Sequence, residues 1–246
     1  MKILRVSEKD QEIVAILDPS NKIRDLSSHI QDLNPSTFNE SNLKKLKKIN
    51  LNHLTEIKPT RIGSCFNKPK NYFCVGKNFI GHISELNSKI PKSPMIFSKA
   101  ISCLSGPNDD IIIPKNSTKV DWECEIGVCL KDDVYQIGEN ESEKYIGGYF
   151  LANDVSARDF QLEKSGQFII GKSAPSFGPI GPILVTPDEI NDVKSLKMTT
   201  LVNGKIMQNG NTRDMIHSIN YVIAYLSTFI KLQRGDLIIF GTPAGV

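Results

Sequence analysis

Three acids at alternate positions are the first candidates for chemistry, in the segment "DWECEIGVCL", residues 121–130. Side chains of a strand alternate between its two faces, so Asp121, Glu123 and Glu125 share a face and Trp122 lies on the other. Carboxylates this close repel one another, and burying them unpaired is strongly unfavourable. We therefore expect either that this face is solvated or that a cation is bound there.

A fourth acid, Asp154, ends the strand-like part of "GGYFLANDVSARDFQ", residues 147–161. An acid at a strand end is often only the N-cap of a helix. Together with Glu123 and Glu125, however, it completes a set of three oxygen donors, which is the ligand type that Mg²⁺ and Mn²⁺ prefer. The chain offers no cysteine- or histidine-rich cluster suited to zinc. The three acids therefore predict a Mg²⁺ or Mn²⁺ site.

Other segments carry groups that could act on a ligand beside such a cation. His82 and Glu85 in "GKNFIGHISE" are neighbours if that stretch is helical. A carboxylate that orients an imidazole raises its basicity and suits a general base acting on water, although a surface pair is the commoner arrangement. Lys172, ahead of a Gly/Pro-bounded loop, is either solvated or binds a substrate anion. Arg158 and Gln161 follow the acid of the strand end at helical spacing and could join the site.

The elements that position these residues indicate an α+β fold, because strands and helices do not alternate regularly. We predict a small N-terminal α/β domain over residues 1–65 and a larger domain over residues 66–246, rich in short strands. Asn203-Gly204, between two alternating apolar arms, predicts a hairpin. Apolar residues at three- and four-residue steps from Ile216 to Ile230 predict a helix, in which His217 is expected to be structural.

Composition and charge argue against several classes of protein. A hydrophobic fraction of 39% over 246 residues supports a core, and a net charge of +3 from scattered basic residues does not suggest nucleic-acid binding. No apolar run approaches a membrane span and the N-terminus lacks a secretory pattern, so we expect a cytoplasmic protein without a membrane partner. The five cysteines are expected to be reduced packing residues. The tripeptide Arg234-Gly235-Asp236 is expected to form a turn rather than an adhesion motif.

Six separated motifs carry a likeness that none of them carries alone: "GKNFIGHISE", "DWECEIGV", "ANDVSARDFQ", "GKS…FGPIGP", "VNG…MQNGNTRDMIHSI" and "GDLIIFGTPAGV". Together they resemble the fumarylacetoacetate hydrolase family from about residue 60 to the end. The resemblance implies a mixed β-sandwich roll, with the N-terminal segment as a small appendage, and a homodimer. That family usually continues through another strand pair after "GTPAGV", whereas this chain ends at Val246, so the last strands are expected to be absent.

The resemblance also implies a role for each candidate residue. The metal ligands would be Glu123, Glu125 and Asp154. The catalytic residues would be the water-activating pair and a charge-stabilising lysine, namely His82, Glu85 and Lys172. The residues near the substrate would be Arg158, Gln161 and Thr242. Asp121 matches a recurrent acid of the motif that is not a ligand, and would support the ligands or meet solvent.

The reaction that the resemblance implies acts on small 2-oxo or 2,4-dioxo acids. A divalent cation that chelates such an acid polarises its carbonyl and stabilises an enolate. The leading hypothesis is hydrolysis of a C–C bond in an acylpyruvate-like or fumarylacetoacetate-like substrate. Decarboxylation of a 2-oxo acid and isomerisation of a 2-hydroxy-dienoate use the same enolate and stay open. A catalytically inactive metal-binding homologue is a further alternative, against which the presence of both His82 and Glu85 counts.

Overall fold

Short strands and short helices, joined by turns and loops, form this computed structural model, which describes residues 1–246. The fifteen strands are β1 (Lys2–Val6), β2 (Ile13–Leu17), β3 (Ile23–Asp25), β4 (Tyr72–Gly76), β5 (Met95–Ser98), β6 (Leu104–Ser105), β7 (Val120–Asp121), β8 (Cys124–Leu130), β9 (Ile146–Asn153), β10 (Ser156–Ala157), β11 (Gly178–Pro179), β12 (Leu184–Val185), β13 (Lys197–Val202), β14 (Lys205–Asn211) and β15 (Leu237–Ile239). The five α-helices are α1 (Glu40–Leu46), α2 (Ile80–Glu85), α3 (Arg158–Leu162), α4 (Phe168–Lys172) and α5 (Ile219–Phe229).

A nine-stranded mixed sheet forms the centre of the fold, in the order β3-β2-β1-β12-β9-β8-β15-β4-β5. Strands β15 and β4 are parallel, whereas the other neighbours in the sheet are antiparallel. Three two-stranded pairs lie outside it. The predicted α+β class is confirmed, and the finer description as a sandwich roll stays a prediction.

The N-terminal strands extend this sheet and do not form a sheet of their own. Strand β1 pairs antiparallel with β12, where Ile3 faces Leu184. Ile3 and Leu26 belong to one buried cluster with Tyr72 and Leu237, which lie far along the chain. The segment before residue 65 and the segment after it therefore share a core, and a domain boundary at this point stays a prediction.

Helix α5 packs Val222, Ile223 and Leu226 into a second core cluster on the sheet. It begins at Ile219, because Ser218 caps it by accepting a hydrogen bond from the Tyr221 amide at 3.0 Å. The predicted helix from Ile216 to Ile230 is thus too long at both ends. The backbone of residues 216 and 217 is instead hydrogen-bonded to Asn78. None of the five helices combines the length and the apolar character that crossing a bilayer requires.

Three local predictions can be compared directly with the structure. Asn203 and Gly204, with φ of 51° and 77°, form the turn between β13 and β14, as the hairpin signal predicts. All five cysteines are free thiols, four of them buried, which confirms them as packing residues. The Asp236 carboxylate is buried and accepts hydrogen bonds from the Gln233 amide and from Asn71. That aspartate belongs to a turn and is not displayed for adhesion.

The shared core generates a first prediction about stability. Ile3→Ala should lower the free energy of unfolding of the entire chain by about 2–5 kcal/mol, the usual cost of such a cavity. Trp122, the single tryptophan, lies far from Ile3 in sequence, so its fluorescence reports unfolding around the acidic segment. In Ile3→Ala, the denaturation midpoint measured by Trp122 fluorescence should fall by the same amount as the midpoint measured by circular dichroism. Lys2→Ala, at an exposed position, is the control. An unchanged Trp122 midpoint in Ile3→Ala would mean that the N-terminal segment unfolds separately.

Candidate active site

Three carboxylates converge at the ends of the neighbouring strands β8 and β9. Glu125 lies within β8, Glu123 precedes that strand, and Asp154 directly follows β9. One oxygen from each of the three lies within 4.8 Å of the others, and all three side chains are buried. Cys124 pairs with Asn153 across the two strands, which explains why acids 29 or more positions apart in the chain meet here.

The acidic segment is not the continuous strand that its alternation predicts. The strand is interrupted at Trp122 and Glu123, between β7 and β8. The side chain of Asn153 explains the break, since its Oδ1 accepts the Glu123 amide hydrogen at 3.0 Å. The period-two reasoning still identifies the right face, because Asp121, Glu123 and Glu125 all line one cavity.

Lys172 neutralises part of this charge from the last residue of helix α4. Its Nζ lies 2.7 Å from Asp154 Oδ2 and 3.1 Å from Glu123 Oε2, and it donates to Ser156 Oγ at 2.8 Å. Burial acts to lower the pKa of Lys172, but Asp154 and Glu123 outweigh it and raise that pKa. The side chain is therefore a buried ammonium, and the alternative of a solvated loop lysine is wrong.

Lys99 is a second buried ammonium at the same carboxylate, and the sequence reasoning missed it. It follows strand β5, and its Nζ lies 2.5 Å from Asp154 Oδ1. Burial works to raise the pKa of Asp154, whereas Lys172 and Lys99 together lower it below its usual value. The only sequence signal was a lysine at the end of the apolar run "PMIFSKA", which by itself does not reveal a partner 55 residues away.

Arg158 links Asp121 to the three carboxylates through Glu123. Its Nε and Nη2 donate to Asp121 Oδ2 at 2.9 and 2.8 Å, and its Nη1 donates to Glu123 Oε1 at 2.6 Å. Nη1 also donates to Gln161 Oε1 at 3.0 Å, so the Gln161 amide nitrogen is left for a ligand. Asp121 thus orients Arg158 and acts on the cluster through it.

Glu125 is the acid of the cluster that forms no ion pair, although the charge of the nearby Lys172 acts to lower its pKa. Its Oε2 accepts one hydrogen bond, from the Gly241 amide at 2.6 Å. Burial raises the pKa of Glu125 well above its ordinary value, and the charges of Asp154 and Glu123 raise it further. Three basic side chains, Lys99, Arg158 and Lys172, form ion pairs with the other acids, which are Asp121, Glu123 and Asp154.

This donor set fits a hard divalent cation. It consists only of carboxylate oxygens, and it is short of positive charge at Glu125. A carboxylate has about four lone-pair positions, so Glu123 and Asp154 can keep their ion pairs and still bind a cation. Glu123, Glu125 and Asp154 are therefore the residues that would hold Mg²⁺ or Mn²⁺ here.

His82 and Glu85 form the helical pair that their spacing predicts. Both lie on α2, with His82 Nδ1 3.2 Å from Glu85 Oε2. The Gly245 amide nitrogen also donates to Glu85 Oε1 at 3.1 Å. If Nδ1 carries the hydrogen and donates it to Glu85, Nε2 is left as a proton acceptor. His82 is buried, and Glu85 connects the pair to the C-terminal loop through its hydrogen bond from Gly245.

A cavity of about 300 Å³ brings most of the candidate residues together. The candidates that line it are His82, Glu123, Glu125, Arg158, Gln161, Lys172 and Thr242. Asp154 and Glu85 do not belong to the lining, but each contacts a residue that does, Asp154 through Lys172 and Glu85 through His82. His217 is also absent from the lining, and it stacks on Tyr221, as expected for a structural residue.

The lining of the cavity also includes apolar side chains, among them Met95, Phe97 and Phe168, and Lys172 Nζ lies 5.2 Å from the centroid of the Phe97 ring. Thr242 has no free hydroxyl hydrogen there, because Oγ1 donates to Cys124 O at 2.9 Å and accepts from Gln208 at 2.7 Å. The cavity lining thus combines charged and apolar side chains, as expected for a small amphipathic acid.

The family described as "Fumarylacetoacetate (FAA) hydrolase C-terminal" matches residues 71–246 of the chain. The chain belongs to the fumarylacetoacetate hydrolase family. The match includes every candidate site residue, from His82 to Thr242, and confirms the family that the six motifs indicate.

Relatives within the fumarylacetoacetate hydrolase family are similar over the whole chain. A Burkholderia ambifaria protein whose name suggests a hydrolase is 42% identical, over 100% of this chain and 88% of the relative. The fumarylacetoacetate hydrolase of Exiguobacterium antarcticum has a TM-score of 0.87 at 27% identity, over 100% of this chain and 87% of that structure. The 2-hydroxyhepta-2,4-diene-1,7-dioate isomerase of Mycobacterium marinum has a TM-score of 0.78 at 28% identity, over 100% of this chain and 88% of that structure. Membership and these names indicate an enzyme.

Lys99 generates the second prediction. Lys99→Met leaves Asp154 buried with one ammonium instead of two, so it should lower the free energy of unfolding by about 3–5 kcal/mol at pH 7. Chemical denaturation in the presence of EDTA measures this without any contribution from bound metal. Lys119→Met is the control, because it breaks an exposed pair with Glu163 and should have little effect. Equal stability of Lys99→Met and the wild type would contradict the importance of this pair.

Proposed function

We propose that the protein is a divalent-metal-dependent hydrolase that cleaves a C–C bond of a small 2,4-dioxo acid. The observation that carries the proposal is the position of His82 in the wall of the same cavity as Glu123 and Glu125. A cation site and an oriented imidazole on one cavity are the two components that water-dependent cleavage beside a carbonyl requires.

The carboxylates would supply the metal site of this reaction. Mg²⁺ or Mn²⁺ held by Glu123, Glu125 and Asp154 would act as a Lewis acid on the oxygens of the bound oxo acid. Lys172 and Lys99 keep the Asp154 carboxylate ionised and in place, and an ion pair with Arg158 holds the Glu123 carboxylate in position. The ligand geometry would thus be organised before a substrate arrives, which lowers the cost of binding.

His82 would act as the general base on water. Glu85 accepts the Nδ1 hydrogen, and Nε2 takes a proton from a water molecule that attacks the distal carbonyl carbon. The bond between that carbon and the neighbouring methylene then breaks, and its electron pair stays on the methylene carbon. Return of the proton from His82 gives a carboxylic acid and a 2-oxo acid, so atoms and charges balance.

Lys172 and Gln161 would stabilise the negative charge that develops on the attacked oxygen. The longest contact of Lys172 Nζ is the one of 3.1 Å to Glu123, so an oxyanion can compete for it most easily. Gln161 can donate from its amide nitrogen while its Oε1 stays bound to Arg158. Arg158 itself has little spare capacity, because both sides of its guanidinium are already occupied by acids.

Isomerisation of a 2-hydroxy-dienoate is the second candidate reaction. It is favoured by the similarity to a structure named as 2-hydroxyhepta-2,4-diene-1,7-dioate isomerase. Decarboxylation of a 2-oxo acid needs the same carboxylates and no attacking water, so it remains an alternative on this site. A metal-binding homologue without activity would also keep the acids, but it has no need for an oriented His82–Glu85 pair.

A substrate panel is the experiment that tests the proposed function. Acylpyruvates, oxaloacetate and a 2-hydroxy-dienoic acid are each incubated with the protein in Mg²⁺ or EDTA, and products are measured. We expect hydrolysis of acylpyruvates in Mg²⁺, and its loss in Glu123→Ala and Asp154→Ala. Asp110→Ala, an exposed acid outside the cavity, is the matched control. Turnover of the dienoic acid alone would establish the isomerase, and full activity of Glu123→Ala would remove the metal assignment.

His82 should act as a base and not as a metal ligand. His82→Ala should therefore leave Mg²⁺ affinity nearly unchanged and lower the single-turnover rate by about 10²–10⁴-fold, the usual value of general base catalysis. Glu85→Gln should give a smaller loss of rate, because it only misorients the ring. Calorimetry beside rapid-quench kinetics separates the two effects. A large loss of Mg²⁺ affinity in His82→Ala, without a separate effect on rate, would move this residue into the metal site.

A homodimer is part of the proposal. Leu151, Leu201 and Ile206 expose more than half of their surfaces, and the first two line one shallow apolar depression. A second copy of the chain would cover such a surface. Light scattering should give twice the protomer mass of 27.4 kDa. Leu201→Lys should shift the mass toward the protomer, whereas the exposed control Lys205→Ala should not. A protomer mass for the wild type at micromolar concentration would contradict the dimer.

The cellular setting that we propose is the cytoplasm. It is supported by five thiols that all remain unbonded, four of them buried within the cores of the protein. Unpaired cysteines in this number are typical of reducing compartments. The small oxo acid is the partner that the cavity requires, and the proposal includes neither a membrane nor a nucleic acid.

A further inference from the structure

Gln208 is a buried amide that comes from a distant, largely exposed hairpin. It lies in strand β14 and is 1% exposed, whereas its chain neighbour Asn209 is exposed. Its Oε1 accepts from the Cys124 amide at 2.9 Å and from Thr200 Oγ1 at 2.7 Å. Its Nε2 donates to Thr242 Oγ1 at 2.7 Å and to the Pro243 carbonyl at 2.8 Å. All four hydrogen-bonding positions of this side chain are therefore filled.

Three of these groups close a ring around the backbone of Cys124. The Cys124 amide donates to Gln208, Gln208 donates to Thr242, and the Thr242 hydroxyl donates to the Cys124 carbonyl at 2.9 Å. Cys124 is the residue between the candidate metal ligands Glu123 and Glu125. The ring thus holds the short piece of backbone from which two of the three carboxylates extend.

The ring replaces a missing part of the central sheet. Strand β15 pairs with β8 only from Gly127 to Cys129, and the last backbone contact on this side joins Phe240 N to Ile126 O. Beyond it the chain turns at Gly241, whose φ is 88°, and Gly241 donates to Glu125. The amide and carbonyl of Cys124 would otherwise lack partners, so the two side chains take the place of a strand.

Close packing ties the hairpin to the same loop independently of these hydrogen bonds. A Cβ at Gly210 would lie 2.4 Å from Pro243 Cβ, so the backbone of the hairpin lies against the Pro243 ring more closely than any residue but glycine permits. The hairpin therefore contacts the C-terminal loop both through Gln208 and through Gly210. A shift of the hairpin would be transmitted to Gly241 and Thr242, which line the cavity.

We propose that Gln208 is a positioning residue for the candidate metal site. By fixing Cys124 against the Gly241–Thr242 loop, it sets the spacing between Glu123, Glu125 and the cavity wall, although it touches neither substrate nor metal. The metal part of this inference rests on the proposed function. The positional part rests only on the ring, and can be tested in the absence of any metal.

The test compares Gln208→Met with the wild type in three measurements. Gln208→Met keeps the length of the side chain and removes all four hydrogen bonds. We expect the Kd for Mn²⁺, measured by calorimetry, to weaken by about 10–100-fold, as is usual when a residue supporting metal ligands is lost. Amide hydrogen exchange at Cys124 and Gly241 should become faster, and kcat should fall more than KM changes. Asn209→Ala, at the adjacent exposed position of the hairpin, should match the wild type in each measurement.

Thr242→Val breaks the same ring from the loop side and leaves the hairpin intact. If the ring acts as a unit, this variant and the double variant with Gln208→Met should weaken Mn²⁺ binding about as much as Gln208→Met alone. If Gln208→Met fails to fold, the Mn²⁺ affinity and amide exchange of Thr242→Val test the proposal instead. Wild-type affinity in both single variants would overturn the proposal, as would faster exchange without any loss of affinity. If the wild type binds no Mn²⁺, the proposed metal-dependent function fails, and amide exchange alone decides whether Gln208 positions the backbone.

Discussion

The buried carboxyl group of Glu125, which has no basic side chain paired with it, is the constraint on which the rest of the site depends. A carboxylate that is fully buried beside two others is unstable as an anion unless positive charge is near it. Here three basic side chains form ion pairs within the cluster, and all of these pairs are with Asp121, Glu123 or Asp154. Glu125 is left with one backbone amide as its donor. The missing positive charge is the reason for regarding this cluster as a metal site and not as a closed ion-pair network.

The architecture around the cluster follows from this constraint. Neighbouring strands β8 and β9 bring the acids together, and the break before β8 lets Glu123 approach Asp154. The bases come from elements that are separate in sequence, with Lys99 after β5 and Lys172 at the end of α4. Because the chain uses several elements to fix the charges, no single element forms the site alone. The central sheet is the common support that holds these elements in register.

The parts of the site that depend on local periodicity could be predicted from the sequence. Alternation in a strand places Glu123 and Glu125 on one face, and helical spacing pairs His82 with Glu85. The pairing of Lys99 with Asp154 and of Gln208 with Cys124 could not be predicted, because each joins residues 55 or more positions apart. The same limit applies to the fold. The hairpin at Asn203-Gly204 is a local signal, whereas the pairing of β1 with β12 joins Ile3 to Leu184 and has no local signature.

The two sides of the cavity differ in how firmly they are held, and this difference agrees with their proposed roles. Asp154 has an ammonium on each of its oxygens, and Cys124 is enclosed by the Gln208–Thr242 ring, so the carboxylates have little freedom. His82, by contrast, lies on a helix of six residues that is held by the buried side chain of Ile83 and by few hydrogen bonds, those of Asn78 before its start and the bond from Gly245 to Glu85 at its end. A metal site gains affinity from rigid ligands, because less ordering is required when the ion binds. A base that must exchange a proton with a passing water molecule benefits from a segment that can adjust. The distribution of hydrogen bonds therefore agrees with the proposed roles, in which the rigid wall binds the metal and the less restrained wall carries the proton acceptor.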